Sequence, residues 1–255
     1  ISLLNLIPNG IQTMSMDIEG LVESSTNLGV VHTTENSVTF ECAVRSSVKT
    51  LKDDMIEMGS MIEKAIENAI RALNNRDTEL ARAAIEADSE IDEQEKKIES
   101  LCLKLLLHQQ PVASDLRMVS SALKMITDME RIGDHAADIS EITICLAKND
   151  KNVNLKVLHE MAKETTVMLV DSIDAYVNKD LDRAQEVLEH DDIVDSLFLE
   201  AKKEVIQLIR KEEDHGEEAA DLLMIAKYFE RIGDHAVNIS EWVVFSITGK
   251  HDKNY

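Results

Sequence analysis

A heptapeptide that occurs twice constrains this chain more than any other feature. Glu-Arg-Ile-Gly-Asp-His-Ala fills residues 130–136 and, unchanged, residues 230–236, so the copies stand 100 residues apart. Identity at seven consecutive positions is beyond what composition bias produces, and the chain therefore carries an internal duplication. The likeness continues downstream, where Ile139, Ser140 and Glu141 recur as Ile239, Ser240 and Glu241. At about 100° per residue on a helix, Glu130 and Asp134 stand about 40° apart, and Glu141 returns to about 20° from Glu130. Glu230, Asp234 and Glu241 repeat the pattern. Each copy thus puts a stripe of carboxylates on one helical face.

The surrounding sequence predicts helices to carry those stripes. After Ser47 the only proline is Pro111, and Ala, Leu, Ile, Glu, Lys and Met dominate. Met55, Met58, Ile62, Ala65, Ile66, Ala69, Ile70 and Leu73 recur at three- and four-residue spacing, an apolar stripe that ends at Asn74-Asn75. Asp77 is placed to cap a second helix running to about His108, which Gln109-Gln110-Pro111 breaks. A third helix from about Ala113 to Ala147 carries the first heptapeptide, and Asn149-Asp150-Lys151-Asn152 is a polar linker. The second half repeats the plan with helices over about 155–177, from Asp180 onward, and from the Asp214-His215-Gly216 loop to Thr248-Gly249. Asn178-Lys179-Asp180 echoes Asn75-Arg76-Asp77, which makes Asp180 the second cap. The fold class is all-α: two tandem three-helix bundles related by duplication, residues 51–150 and 151–255.

Residues 1–50 are unlike the rest and read as an N-terminal extension, a fusion or remnant. Leu28–Thr33 and Ser37–Arg45 are expected as two strands of a hairpin joined at Thr34-Glu35-Asn36, with Pro8-Asn9-Gly10 an upstream turn. The segment Asn9–Val31 resembles an internal piece of cytosolic aminoacyl-histidine dipeptidases. None of that family's metal-binding motifs is present, so no peptidase activity follows from it.

A second acidic pair lies in the middle helix of each half. Asp88 and Asp92 are four residues apart, as are Asp191 and Asp195 at the equivalent positions. Carboxylates at i and i+4 on two adjacent helices can converge on a cation, which also relieves their mutual repulsion. The candidate metal ligands are therefore Glu130, Asp134, Glu141, Asp88 and Asp92 in one half, and Glu230, Asp234, Glu241, Asp191 and Asp195 in the other. The competing reading is a solvated acidic face, which duplication makes the weaker one. His135 and His235 lie about 100° around the helix from the adjacent aspartates and are expected as hydrogen-bonded histidines outside the metal shell. Gly133 and Gly233 are expected to allow close helix approach, and Arg131 and Arg231 to pair with acids a turn away.

Composition narrows the function further. A net charge of −22 argues against a nucleic-acid or anionic-membrane surface. No apolar run approaches the roughly 20 residues of a membrane span, and the apolar start Ile1–Ile7 lacks the features of a signal peptide. Cys42, Cys102 and Cys145 are odd in number and widely spaced, which fits a reducing cytosol and offers no metal-ligand spacing. A carboxylate-bridged di-metal enzyme ordinarily needs two Glu-x-x-His pairs, and the one such spacing here, Glu212 with His215, has no partner. No nucleophile, base or Gly-rich phosphate loop stands out, so the chain is read as a non-enzyme.

The repeated Glu-Arg-Ile-Gly-Asp-His-Ala, followed by Asp138-Ile139-Ser140 and Asn238-Ile239-Ser240 and preceded by Asp115-Leu116-Arg117 after Pro111, resembles the PhoU family over about residues 50–248. The resemblance implies a cytoplasmic, usually dimeric regulator of bacterial phosphate uptake. It implies multinuclear iron or zinc clusters, or other divalent ions, at motifs that map onto Glu130 and Asp134 and onto Glu230 and Asp234. It also implies an ABC phosphate transporter and a sensor histidine kinase as partners, with the phosphate regulon held off when phosphate is plentiful. PhoU-like domains fused to sodium–phosphate cotransporters offer an alternative setting, and a metal-free helical adaptor another.

Overall fold

Two short turns show how local sequence sets the helical plan. The computed structural model describes residues 10–14, 22–33, 38–44, 47–109, 113–148, 156–211 and 216–250. Its six helices are α1 (Ser47–Asn75), α2 (Thr78–Gln109), α3 (Ala113–Leu146), α4 (Lys156–Asn178), α5 (Leu181–Lys211) and α6 (Gly216–Thr248). α1 and α4 both end on a residue in the left-handed region, Arg76 at φ 51° and Lys179 at φ 55°. The next amide then reaches back to the last turn, Asp77 N to Ala72 O at 3.0 Å and Asp180 N to Ala175 O at 2.9 Å. This is a Schellman closure, which satisfies carbonyls that the helix end would leave bare. The same aspartates cap the following helices: Asp77 Oδ1 accepts from the Glu79 and Leu80 amides at 3.0 Å each, and Asp180 Oδ1 from Arg183 N at 3.1 Å. The repeated Asn-(Arg/Lys)-Asp sequence is thus one turn used twice.

The six helices form one compact unit from Lys52 onward. Within each half the middle helix packs on the last, α2 on α3 and α5 on α6, and α4 packs on both α5 and α6. The halves also share a core. α3 and α6, the two heptapeptide helices, lie against each other. α1 meets α4 at Gly59, where an added Cβ would stand 2.4 Å from Ile173 Cδ1. Lys52 Nζ donates to Val177 O at 2.6 Å across the same contact. Tyr176, fully enclosed, donates its hydroxyl to Met118 O on α3 at 3.0 Å. The stripe expected along α1 is buried from Met55 through Ala69, with Ile70 and Leu73 half-buried at its end. No helix among the described residues is long and apolar enough to cross a membrane.

The other unit, ending near Leu51, contains an antiparallel sheet in the order β1 (Gly10–Met14), β2 (Val22–Thr33), β3 (Val38–Val44). Its β2–β3 pairing runs from Thr33↔Val38 to Thr26↔Val44, with a register shift between Leu28 and Val30. Three strands therefore stand where the sequence predicted two, and β2 begins at Val22 rather than Leu28. The added stretch, Val22-Glu23-Ser24-Ser25-Thr26-Asn27, is polar without clear alternation, so periodicity carries no strand signal there. The proposed links at Thr34-Glu35-Asn36, Pro111 and Asn149–Asn152 lie outside the described residues, as do Pro8 and Asn9.

Candidate metal centre

The acidic site of the first half is built by a glycine. α2 and α3 can approach because residue 133 has no side chain: a Cβ there would stand 3.1 Å from Ile91 Cδ1 and 3.4 Å from Asp88 Oδ1. That approach carries Asp88 off α2 and against the α3 stripe. Burial pushes the Asp88 carboxyl up from its ordinary value, and Asp134, Asp92 and Asp138 add to the shift. Glu130 is raised by burial and then by Asp134, and it senses Glu95 and Asp92 as well. Glu95 is raised by burial, then by Glu99 and Asp92. Asp88, Asp92, Glu95, Glu130 and Asp134 are therefore one electrostatic cluster between two helices. Its counter-charge is Arg131, which donates to Asp134 Oδ2 at 2.8 Å and stands 3.5 Å from Glu130 Oε2.

Replacing Gly133 by valine overfills this contact, because the Ile91 side chain is itself enclosed. The expected loss is about 1–3 kcal/mol of unfolding free energy. Gly216→Ala, at a position with nothing within 4 Å, serves as the neutral comparison. Equal urea midpoints for the two variants would refute the close approach.

The second half repeats the geometry with different detail. A Cβ on Gly233 would stand 3.3 Å from Val194 Cγ1 and 3.4 Å from Asp191 Oδ1. Asp191 is pushed up to about 6 by burial, then by Asp195 and Asp234. Asp234 is raised by burial and by Glu230, while Lys227 opposes the shift. Lys227 is ion-paired with Glu230 and lies 5.4 Å over the Phe198 ring.

Eight of the ten sequence candidates thus fall into two clusters of four. Glu141 and Glu241 do not join them. Eleven residues bring each back to the same side of its helix but about 16 Å farther along the axis, too far to share an ion with Glu130 or Glu230. Glu141 acts instead on Tyr228, across on α6. Sequence reasoning missed Glu95 and Asp138. Both were within reach of the helical arithmetic, since Glu95 lies two turns from Asp88 and Asp138 one turn from Asp134.

The heptapeptide histidines sit apart, at the α3–α6 seam. Their ring centroids are 5.5 Å apart, and His135 lies 5.4 Å from Tyr228. His235 Nδ1 is 2.8 Å from Asp128 Oδ1, which also accepts from Asn238 Nδ2 at 3.1 Å. His135 is buried, with Nδ1 at 3.4 Å from Asp138 Oδ2; burial lowers its pKa, so it stays neutral near pH 7.

Could a cation use the acidic faces? Asp88 Oδ1 is buried without a hydrogen-bond partner among the described residues, an acceptor left open toward α3. An all-carboxylate set suits hard, oxygen-seeking ions, and of iron and zinc it suits iron better. As the side chains stand, no three His, Cys, Asp or Glu groups among the described residues are arranged to hold one ion. The faces are therefore open surfaces whose carboxylates would have to rotate inward around a cation.

A model of the PhoU domain matches residues 55–143 and 158–243, one copy on each half. The chain belongs to the PhoU family. It is 37% identical over 206 residues to a phosphate-specific transport system accessory protein PhoU homolog of Clostridium acetobutylicum, spanning 80% of this chain and 94% of that protein. A PhoU homolog of Borreliella burgdorferi is 31% identical over 209 residues, again 80% of this chain and 94% of the relative. The crystal structure of PhoU from Pseudomonas aeruginosa superposes with a TM-score of 0.76 at 29% identity, covering 80% of this chain and 99% of that one. The Streptococcus pneumoniae phosphate transport system regulatory protein PhoU gives 0.75 at 29% identity, with 80% and 96% covered. The PhoU repeats coincide with the duplicated helices, and both begin after the strand-bearing segment.

Proposed function

We propose that this PhoU-family chain is a metal-binding regulatory adaptor of phosphate uptake. Acting without catalysis in the cytoplasm as a homodimer, it contacts an ABC phosphate transporter and its sensor histidine kinase and keeps the phosphate regulon off. Its relatives are accessory proteins of the phosphate-specific transport system, which supports the transporter as partner. The observation that carries the metal reading is the duplicated acidic face, with Asp88 Oδ1 buried and unpartnered in one copy. Asp88, Asp92, Glu130 and Asp134 would hold ions in the first half, and Asp191, Asp195, Glu230 and Asp234 in the second. Bound iron would supply charge neutralisation, drawing α2 to α3 and α5 to α6 and presenting a fixed surface to a partner.

Elemental mass spectrometry on purified protein tests this. Several iron or zinc ions per chain are expected, lost on Asp134→Ala/Asp234→Ala, together with weaker capture of the transporter. A metal-free protein that still captures the transporter would leave an adaptor whose acids are a partner surface and would overturn the metal reading.

A further inference from the structure

The exposed face of α5 changes character along its length. Upstream it carries Asp192 and Asp195; from Leu199 to Arg210 it carries large aliphatics interleaved with cations. Leu199, Ile206 and Ile209 are 55%, 41% and 47% exposed, and Lys202, Lys203 and Arg210 are exposed among them. At about 100° per residue, Ile206 stands about 20° from Leu199, with Lys202 about 60° to one side and Lys203 about 40° to the other. Ile209 extends the Lys202 side and Arg210 the Lys203 side. Lys202, Lys203 and Arg210 form no ion pair among the described residues. Attraction to the C-terminal end of the helix dipole accounts for Arg210, in the last turn, but not for the two lysines about two turns earlier. Nor does the duplication account for them. The equivalent positions on α2, 103 residues earlier, are Lys96, Glu99, Ser100, Leu103, Leu106 and Leu107, whose charges cancel. Exposed apolar area rimmed by charge, present in one half only, marks a surface made for a partner.

We propose that the Leu199–Arg210 stripe of α5 docks an acidic amphipathic helix of a partner protein. The partner's apolar residues seat on Leu199, Ile206 and Ile209, and carboxylates on its flanks meet Lys202 on one side and Lys203 and Arg210 on the other. The lysine and arginine stems add apolar contact beneath their charged heads. Charge decides the occupant. In a chain of net charge −22 an acidic segment is repelled by most of the surface, so unpaired cations on one apolar stripe select where it lands. A flat anionic lipid surface would also press on Asp192 and Asp195, which continue the stripe upstream. A helix laid over the roughly 16 Å from Leu199 to Arg210 stops short of them. The proposal goes beyond the adaptor reading in naming a surface and its partner's chemistry, and it holds whether or not the acidic faces carry metal.

Fluorescence anisotropy of the full chain with a labelled helical peptide of about 18 residues, leucines on one face and glutamates on both flanks, tests it. Saturable binding that weakens as salt rises is expected. Lys202→Glu/Lys203→Glu should weaken it about tenfold, as should Leu199→Ser/Ile206→Ser. Lys64→Glu/Lys104→Glu makes the same change in net charge at exposed sites on α1 and α2, and should leave the affinity within about twofold. No saturable binding, or equal losses from the two charge-reversed pairs, would overturn the proposal. So would a stripe occupied otherwise: phosphatidylglycerol vesicles, or a second copy of the chain, released by Lys202→Glu/Lys203→Glu while the peptide does not bind. Circular dichroism of each variant verifies that the helices are retained.

Discussion

Arg76→Ala is expected to lower unfolding stability by about 3 kcal/mol, within the range for breaking a buried ion pair. Arg76 Nη2 stands 2.7 Å from Glu218 Oε1, with side-chain exposures of 17% and 4%. Its Nη1 also donates to Leu146 O at the end of α3. One guanidinium thus ties the α1–α2 turn to α3 and to the first turn of α6, joining the two halves. Removing it takes a charged partner away from the buried Glu218 carboxylate, and that loss is the main cost. The helix N-terminus beside Glu218 recovers only a fraction of it. Alanine keeps a Cβ at the left-handed position, so the backbone strain there is unchanged and the effect reports the guanidinium's contacts, with Leu146 O as well as Glu218. Glu218→Gln should cost less, about 1–2 kcal/mol, because an amide oxygen still accepts from Arg76. Urea unfolding measures both. A loss below 1 kcal/mol for Arg76→Ala would mean that the pair is solvated and that other contacts, α3–α6, α1–α4 and Tyr176 on Met118 O, hold the halves.

How much of this was legible in the sequence depends on what a period can encode. A period of 3.6 locates helices and their faces, and the six helices fall within one or two residues of the expected spans because apolar stripes and capping aspartates are local signals. The same reasoning put the Asp88 and Asp92 pair on one helix and the Glu130 and Asp134 pair on the next, able to converge if the two helices lie side by side. It failed along the axis: Glu141 has the right azimuth, yet three turns of rise remove it from Glu130. The α3–α6 seam was not legible, since nothing in a helix's own period says which helix of the other half it will meet. The duplication itself obscured part of the answer. Matching residues such as His135 and His235 draw attention, while the differences that set their surroundings, Asp128 against Tyr228 and Asp138 against Asn238, do not show as a pattern. Lys227 and Phe198 escaped for the same reason. The strand unit failed differently, because a polar strand such as the first half of β2 is specified by its pairing partners rather than by its own alternation.

The second large effect is a stability that falls as pH rises. Asp191 has its carboxyl raised from 3.8 to about 6 in the folded chain by burial and by Asp195 and Asp234. Between those values the folded state binds a proton that the unfolded state has lost, so unfolding free energy decreases with rising pH across the window. The full linkage would approach 3 kcal/mol; partial solvent access and salt reduce the expectation to about 1–2 kcal/mol. Asp88, Glu95, Glu130 and Asp234 are shifted in the same direction and deepen the slope. Glu164 works oppositely. Lys163 and His190 hold its pKa below the ordinary value, so its contribution is present above that value and lost only as the medium becomes more acidic. Its effect therefore lies below 4.5, overlapping only the acid end of the Asp191 window. Urea midpoints of chelator-stripped protein between pH 5 and 7.5 should fall with pH, and Asp191→Asn should flatten the fall and raise stability at pH 7.5. A saturating hard divalent ion should flatten it as well, because the cation takes over the neutralising role of the protons. The buried His135, whose pKa burial lowers, contributes an opposing rise below 6.5 that Asp191→Asn leaves unchanged, so the comparison of slopes decides: an Asp191→Asn variant with the wild-type slope would show that these carboxylates are solvated and repel one another too weakly to need a counter-ion.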